Sequence, residues 1–327
     1  MSKLSEILCD PRIPKYIKEK VNNLSDGGKE ALNSMFDEDS DFFKHAFPTK
    51  IAKRFFADPA KYPILYHYTD INGLKGIISS KIFRIGSQYY MNDPEENIYT
   101  FKLAKNCLIK MGASDSEISF FDQDFHKVRF DPYVWSFTYN NYSQALQNYG
   151  DFALEFHNQE LQENLVEQLN PGIESFEEMR EGNSLVFPLK VEYNTQVQQE
   201  YISSVMSTYL NAYRNLWIDE SDMYSIMEHC YRALTLFSLC FKNSLLYQEE
   251  EIRFVIFRIS NDNKLHPDTM INKKPWVFFP FNNHLIHKII YSRNINNLVE
   301  VKNLLINNKF NASLLESTKL PYGRKIN

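Results

Sequence analysis

Strand-like and helix-like segments are interspersed along the 327 residues, but they do not alternate in a regular strand–helix–strand pattern. Parallel α/β sheets are built from that alternation. The chain has only 10 glycines, and no glycine-rich phosphate loop follows a strand-like run. The pattern therefore disfavours a Rossmann or P-loop domain and favours the α+β class.

Short runs rich in β-branched and aromatic residues predict the strands. They cover residues 64–69, 82–85, 133–138, 152–156, 185–191, 252–257, 276–279, 285–291 and 312–315. Asp70 follows the first run and is a good helix N-cap. Asn92-Asp93-Pro94 is a strong helix start, since acids follow at the positive end, and this helix should run to about Met111.

Helical character marks the remaining long segments. They are residues 1–60, 158–181, 198–247 and 294–306. We predict an N-terminal helical appendage over 1–60, broken at Asp26-Gly27-Gly28, and a main domain over 61–316 that contains the helical insertion at about 198–247. Residues 317–327 should form a flexible tail. The appendage shows no chemistry, and docking to a protein partner is its expected role.

Charge and cysteine use restrict the partners and the compartment. Lys plus Arg is 36 and Asp plus Glu is 41, so the net charge of −5 gives no general reason to bind nucleic acid or an anionic membrane.

Four cysteines show no CxxC pair and no metal-ligand spacing, which is typical of reduced thiols in a cytosolic protein. The apolar stretch 233–241 is far shorter than the roughly 20 residues of a membrane span. The apolar run in the first ten residues is too short for a signal peptide, so we expect none. We expect a protein of the bacterial cytoplasm, or one delivered into another cell by a route that the sequence does not show.

The first candidate motif is Leu65-Tyr66-His67-Tyr68-Thr69. A histidine on a strand, with aromatic neighbours and a threonine just beyond, can present its imidazole at the floor of a cleft. The alternative is a core or edge histidine bonded to a nearby carbonyl.

The second candidate motif is Trp135-Ser136-Phe137-Thr138. Strand alternation puts Ser136 and Thr138 on one face, where their hydroxyls can hydrogen-bond a ligand. The alternative is a half-buried strand whose polar face lies in water.

The third candidate motif is Glu249-Glu250-Glu251-Ile252-Arg253. Alternation predicts Glu249, Glu251 and Arg253 on one face, and two carboxylates beside an arginine can stabilise a cationic centre. The alternative is a solvated acidic strand entrance with a surface Glu–Arg pair of little energetic value.

In their order along the chain, these motifs resemble a large bacterial family, domain of unknown function two-nine-seven-one. The likeness covers about residues 62–316. It is carried by Leu65–Thr69, Leu74–Ile78, Asn92–Glu95, Ser136-Phe137, Tyr149-Gly150, and Lys242 followed by Glu249–Arg253. The chain departs from the family pattern at Ile252, where an aromatic residue is usual, and at Ser136-Phe137, which occupies the region of the commonest second-strand tyrosine.

The resemblance implies a fold similar to the ADP-ribosyltransferases, which have a split β-sheet and a cleft for NAD. By position it assigns His67 to the nicotinamide-side ribose, Ser136 to the nicotinamide pocket, and Glu251 to a ribose hydroxyl and the cationic centre. Glu249 would be a second acid. Further residues expected to contact NAD are Tyr66, Tyr68, Thr69, Asn92, Asp93, Thr138, Tyr149 and Arg253.

The implied chemistry agrees with the residue types. Breaking the nicotinamide–ribose bond generates an oxocarbenium-like centre, which a fixed carboxylate stabilises. Tyr68 or Tyr149 could stack on the nicotinamide ring. We therefore expect an NAD-using enzyme that transfers ADP-ribose to an unknown acceptor or hydrolyses NAD, such as a bacterial toxin or phage-defence effector.

Two other functions stay open at this point. One is a non-catalytic sensor that binds a nucleotide or a peptide in the same cleft. The other, ranked last, is a metal-dependent hydrolase, because no HxxxH, HxH or paired His–Asp spacing occurs; no metal cofactor is expected. The enzymatic hypothesis requires His67, Ser136 and Glu251 to line one pocket.

Overall fold

Two groups of segments contact mainly their own members. The computed structural model describes residues 2–90, 94–125, 132–141, 143, 149–216, 220–260, 266–292, 295 and 297–318. A first unit comprises residues 1–55, 93–130 and 192–244, and a second unit comprises 56–92, 131–191 and 245–327. This division differs from the predicted one. Most of the predicted appendage and most of the predicted insertion belong to the first unit, together with the helix that follows Asp93.

The helices are α1 (Lys3–Cys9), α2 (Lys15–Asn22), α3 (Asp26–Phe36), α4 (Asp41–Ala46), α5 (Pro48–Phe55), α6 (Ile71–Ser80), α7 (Pro94–Lys110), α8 (Asp115–Phe125), α9 (Asn158–Leu169), α10 (Thr195–Asn215), α11 (Glu220–Cys240) and α12 (Leu298–Asn307). In the described residues, no helix is long and apolar enough to span a bilayer.

The first unit is helical, and α10 is its centre. This helix packs against α3, α4, α7 and α11. Its inward side chains, such as Val205, Met206 and Tyr209, are fully buried, and α11 contributes Tyr231 and Phe237. Each such side chain stabilises the fold by roughly 1.5–3 kcal/mol through removal from water. The long apolar stripes of α10 and α11 therefore form a core of their own.

The predicted helix break lies at residues 23–25, between α2 and α3, and Asp26-Gly27-Gly28 instead begins α3. The Ser25 hydroxyl caps the helix by accepting a hydrogen bond from the Gly28 amide at 3.2 Å. A Cβ added to Gly27 would lie 2.5 Å from the side-chain nitrogen of Asn215 on α10. The glycines therefore let the helix begin close to its neighbour, since a good N-cap offsets their low helix propensity.

The second unit contains the strands, whose mixed sheet confirms the α+β class. They are β1 (Ile64–Thr69), β2 (Ile82–Ser87), β3 (Tyr133–Thr138), β4 (Phe152–His157), β5 (Ser184–Lys190), β6 (Glu251–Arg258), β7 (Thr269–Ile271), β8 (Lys274–Pro280), β9 (Lys288–Tyr291) and β10 (Leu315–Ser317). The order is β10-β9-β4-β1-β3-β2-β8-β7, and β6 pairs with β3 and β5. The β9–β10 pair is parallel, and the other pairs are antiparallel.

The sheet forks at β3. All six residues of β3 pair with β6. On the other edge, Tyr133 and Val134 pair with β2, whereas the described β1–β3 register consists of the single pair Tyr66 and Thr138. Strands β1 and β2 therefore diverge along this edge of β3, between Val134 and Thr138.

One surface of the sheet, the core face, carries Leu65, His67, Trp135, Phe137 and Phe254. Helices α6, α9 and α12 supply the other side of this core. Their buried apolar residues are Leu74, Ile78, Leu161, Leu165, Leu169, Val301 and Leu305. Alternate residues of β3 and β6 supply the strand side chains of this core, as the period of two requires, and the opposite face of both strands is also largely buried.

Several predicted boundaries differ from the structure. The run 285–291 is a strand only from Lys288, and 312–315 begins with a 3₁₀ turn before β10. The segment 158–181 is α-helical only to Leu169. Short apolar runs do not by themselves distinguish a strand from a turn that packs its side chains inward.

Candidate functional site

Four polar residues of β3 and β6 lie on the surface opposite the core face. Ser136 pairs with Arg253, and Thr138 pairs with Glu251. Directly opposed residues of an antiparallel pair project to the same side. Tyr66 joins them because it is opposite Thr138. We call this set, Tyr66, Ser136, Thr138, Glu251 and Arg253, the polar face.

Glu251 and Arg253 form a bidentate ion pair. The Arg253 Nε and Nη2 atoms donate to the two carboxylate oxygens of Glu251 at 3.0 and 3.1 Å. The Arg253 side chain is 0% exposed and that of Glu251 is 6% exposed. Desolvation of such a pair offsets much of its attraction, so stability alone is a weak reason to keep it. The two hydrogen bonds do hold the carboxylate in one orientation.

Ser136 contributes the second polar group. Its hydroxyl oxygen is buried and has no hydrogen-bond partner among the described residues. A buried hydroxyl without a partner costs about 1–3 kcal/mol. Ser136 as a whole keeps partial exposure, whereas Thr138 is fully buried. A ligand atom that reached the Ser136 hydroxyl would remove this cost.

Two tyrosines of β1 lie on the same side of the sheet as the polar face. Tyr66 is buried, and Tyr68 is partly exposed. Burial raises the pKa of Tyr68 to about 12, against a smaller opposite effect of a hydrogen bond with the backbone of Ser143. The Tyr68 phenol is therefore protonated at neutral pH and can donate a hydrogen bond.

The acidic segment before β6 does not continue the strand alternation. Glu249 ends a 3₁₀ turn, Ser244–Glu249, and Glu250 has a φ of 47°. The strand begins only at Glu251, so the expected placement of Glu249 on the same strand face is wrong. Glu249 is nevertheless buried, with 8% exposure.

Two side chains that the sequence did not single out hold this turn. The Asn140 amide donates to the Glu250 carboxylate at 2.6 Å, and the Ser143 hydroxyl donates to the Gln248 carbonyl at 3.1 Å. Both follow β3 directly. Asn and Ser after a strand are turn formers, which is the signal that could have identified them.

His67 lies with the core face. It pairs with Leu154 of β4, and its ring packs 5.8 and 5.7 Å from those of Trp135 and Phe137. Its Nδ1 is 2.9 Å from the Ser136 carbonyl. Because a carbonyl only accepts, Nδ1 carries the proton and donates. The imidazole thus bridges the forked edge of β3, as the carbonyl-bonded alternative predicted.

Burial also sets the charge of His67. Desolvation lowers its pKa, and the hydrogen bond to Ser136 opposes this more weakly. The imidazole is therefore neutral at neutral pH, with Nε2 as its acceptor. The strand register places the His67 side chain on one side of the sheet and the side chains of Ser136 and Glu251 on the other. The three side chains therefore do not line one pocket, contrary to the expectation from the sequence.

The remaining predicted residues have separate environments. Thr69 is buried on the His67 side of β1. Tyr149 is 52% exposed, and Gly150 packs so closely that an added Cβ would lie 2.1 Å from the Thr69 carbonyl. Only glycine fits there, at a φ of 155°. Asn92 and Asp93 lie outside the described residues.

Lys242, which belongs to the resemblance, is in the first unit. Its ammonium is 2.7 Å from the Glu96 carboxylate, and both side chains are buried, with 5% and 10% exposure. The Gln198 amide donates to the Lys242 carbonyl at 2.8 Å. In this chain the lysine is thus part of a buried polar network.

The cavities differ in size between the units. Beside Tyr68, a cavity of about 20 Å³ is lined by Gly150, Ala153 and Ile290, among others, and can hold one water molecule. In the first unit, a cavity of about 720 Å³ lies between α7 and α10, lined by Cys107, Ile202 and other residues. None of the predicted site residues lines the larger cavity.

Comparison of the chain with protein-family models, with curated proteins and with solved structures gave no match. The likeness to the bacterial family and to the ADP-ribosyltransferase fold therefore stays a prediction.

Proposed function

We propose that the second unit binds NAD at the polar face and cleaves its nicotinamide–ribose bond, with transfer of ADP-ribose to an unknown acceptor or to water. One observation supports this above the others. A buried carboxylate, Glu251, is fixed by Arg253 on the same surface on which the Ser136 hydroxyl lacks a partner. A fixed carboxylate can stabilise the positive charge that develops on the ribose as the bond breaks, and the unpartnered hydroxyl can donate a hydrogen bond to the ligand.

The reaction assigns a distinct role to each group. The bond between ribose C1′ and the ring nitrogen breaks, and nicotinamide leaves with the electron pair. Glu251 stabilises the oxocarbenium-like centre, and the Ser136 hydroxyl binds the nicotinamide amide or a ribose oxygen. The acceptor adds to C1′, and its proton goes to solvent. His67 projects to the other face of the sheet, so the proposal no longer places it in the pocket and rests on Ser136 and Glu251. His67 is instead a positioning residue, because it holds β3 through the Ser136 carbonyl.

The test is incubation of the purified chain with NAD and chromatographic measurement of nicotinamide. We expect release by the wild type and a decrease of about 10²–10³-fold in Glu251→Gln, the range for loss of one fixed charge-stabilising group. Glu177→Gln is the matched control, because Glu177 is an exposed glutamate of the same unit. Free ADP-ribose equal to the nicotinamide would identify water as the acceptor.

A second variant protects this test from a folding defect. Glu251→Gln disturbs a buried ion pair, whereas Ser136→Ala removes only an unpartnered hydroxyl and should fold normally. We expect Ser136→Ala to raise KM for NAD about 10-fold with no loss of thermal stability. Folded wild type that releases no nicotinamide would contradict the enzymatic proposal.

A second function is favoured by two specific observations. Arg253 neutralises Glu251, and His67 projects away from the polar face. Both suit a module that binds a nucleotide without turnover. This function predicts thermal stabilisation by NAD or ADP-ribose, lost in Ser136→Ala, without nicotinamide release. Absence of both stabilisation and release would contradict both functions.

A further inference from the structure

Three metal-ligating side chains of the second unit lie together outside the polar face. His157, Glu160 and His287 each offer one donor atom, and these three atoms lie within 4.8 Å of one another. His157 ends β4, Glu160 lies in the first turn of α9, and His287 directly precedes β9. Three separate elements therefore converge on one point.

The backbone at all three elements is already fixed. His157 pairs with Ile64, and the next amide, that of Asn158, donates to the Pro63 carbonyl at 2.9 Å. The buried Asn158 side chain donates to the Tyr62 carbonyl at 2.9 Å. The His287 amide donates to the Glu155 carbonyl at 2.9 Å. Such prior fixing lowers the ordering cost of binding an ion.

The side chains are also close to one another. The Nε2 of His287 is 2.8 Å from a Glu160 carboxylate oxygen, and the His157 and His287 rings stack with centroids 3.6 Å apart. Because an imidazole binds a metal in its ring plane, one of the two stacked rings has to rotate for both nitrogens to reach the same ion. His157 is exposed, and the other two are half-buried, so an ion can enter from solvent. A surface ion pair would explain Glu160 with His287, but it gives no role to His157.

The nearby charges do not oppose a cation. The Lys288 ammonium is 3.5 Å from Glu155 and 3.7 Å from Glu316, so two carboxylates offset its charge. The donor set selects the type of ion. Two imidazole nitrogens and one carboxylate oxygen form a familiar Zn²⁺ ligand set that leaves a fourth position open, whereas Ca²⁺ and Mg²⁺ take oxygen ligands.

We propose that His157, Glu160 and His287 bind one transition-metal ion of the Zn²⁺ type, with the fourth position open to water or an external ligand. This assignment is independent of the NAD proposal. It also differs from the expectation that the chain binds no metal, because the histidines are 130 residues apart and no short motif joins them.

The test is titration of the full chain, carried without a polyhistidine tag, with Zn²⁺ by calorimetry and with Co²⁺ by visible absorption. We expect one ion per chain, a tetrahedral Co²⁺ spectrum and a rise of the wild-type melting temperature with Zn²⁺. His157→Ala, His287→Ala and Glu160→Gln should each weaken binding by at least about 10–100-fold. His284→Ala is the matched control, since this exposed histidine lies three residues before His287, and it should bind as the wild type does.

Two outcomes would overturn the proposal. One is wild-type affinity weaker than about 0.1 mM for both ions. The other is binding that persists unchanged in His157→Ala, which would leave only the Glu160–His287 pair. Circular dichroism of each variant separates a lost site from a lost fold. Nicotinamide release, measured in parallel, reports on the NAD proposal separately.

Discussion

Polar residues have different environments on the core face and on the polar face of the same sheet. On the core face, His67 is neutral, lies among Trp135 and Phe137, and donates a hydrogen bond to the backbone carbonyl of Ser136. On the polar face, Glu251 is an ionised partner of Arg253. The His67 hydrogen bond holds β3 at the fork of the sheet. The pair with Arg253 holds a buried carboxylate in a fixed position, where it can interact with a ligand. The face on which a polar side chain lies, more than its residue type, thus indicates whether it has a structural role, as His67 has, or a proposed role in ligand binding, as Glu251 has.

The largest effect that sharpens this comparison is expected for Arg253→Leu. Removing the guanidinium leaves the buried Glu251 without its countercharge, which should lower the free energy of unfolding by about 3–5 kcal/mol. Urea unfolding measures it. The double variant Arg253→Leu, Glu251→Leu should recover most of the loss. Equal losses in the single and double variants would show that burial of charge is not the cause.

A smaller effect is expected on the core face for His67→Phe. Phenylalanine keeps the aromatic packing but cannot donate to the Ser136 carbonyl, so the free energy of unfolding should fall by about 1–2 kcal/mol. Urea unfolding again measures it, with the exposed His284→Phe as control, within about 0.5 kcal/mol of wild type. A loss above about 4 kcal/mol would mean that packing, rather than the hydrogen bond, dominates at His67.

The half-exposed ion pair of the first unit offers a contrast with the buried one. Arg214 donates to Glu117 at 2.6 and 3.0 Å, which lowers the pKa of Glu117 from 4.5 to about 2. A lowered carboxyl pKa stabilises the fold above pH 4.5, and this stability is lost as the pH falls towards 2. Because Arg214 is 43% exposed, we expect screening to reduce the contribution to about 1–2 kcal/mol.

Unfolding of the wild type and of Glu117→Gln between pH 5 and 2 measures this contribution. The stability difference between the two proteins should shrink as the pH falls, since protonation removes the ion pair. A difference that stays constant with pH would instead assign the effect to packing.

The smallest effect on stability is expected for Ser136→Ala. The hydroxyl is buried and has no partner among the described residues, so its removal should not lower the free energy of unfolding and should raise it by about 1 kcal/mol. Thermal unfolding with and without NAD measures both stability and binding. A clear loss of stability without ligand would show that the hydroxyl is structural.

Local patterns predicted much of the second unit. The runs at β1, β3, β4 and β6 are rich in β-branched and aromatic residues, and Asp70 caps α6 by accepting from the Gly73 amide at 2.6 Å. The joint placement of Ser136, Thr138, Glu251 and Arg253 also follows from alternation, once β3 and β6 are known to pair. Residues close together in the sequence are sufficient to predict these features.

The rest depends on contacts that the sequence does not display. Strand alternation alone cannot say that Tyr66, and not His67, is opposite Thr138, because register between distant strands is set by the whole sheet. The left-handed Glu250 interrupts the strand and moves Glu249 into a turn. Likewise, the grouping of 1–55 with 192–244 reflects packing between helices that are far apart in the chain.

A crystal structure with bound NAD, or with a non-cleavable analogue, tests the central claim most directly. We predict that the nicotinamide-side ribose lies on the polar face, with one of its oxygens about 3 Å from the Glu251 carboxylate and a ligand atom at the Ser136 hydroxyl. Electron density for the ligand at the His67 ring with none at Glu251, or in the cavity between α7 and α10, would contradict the account.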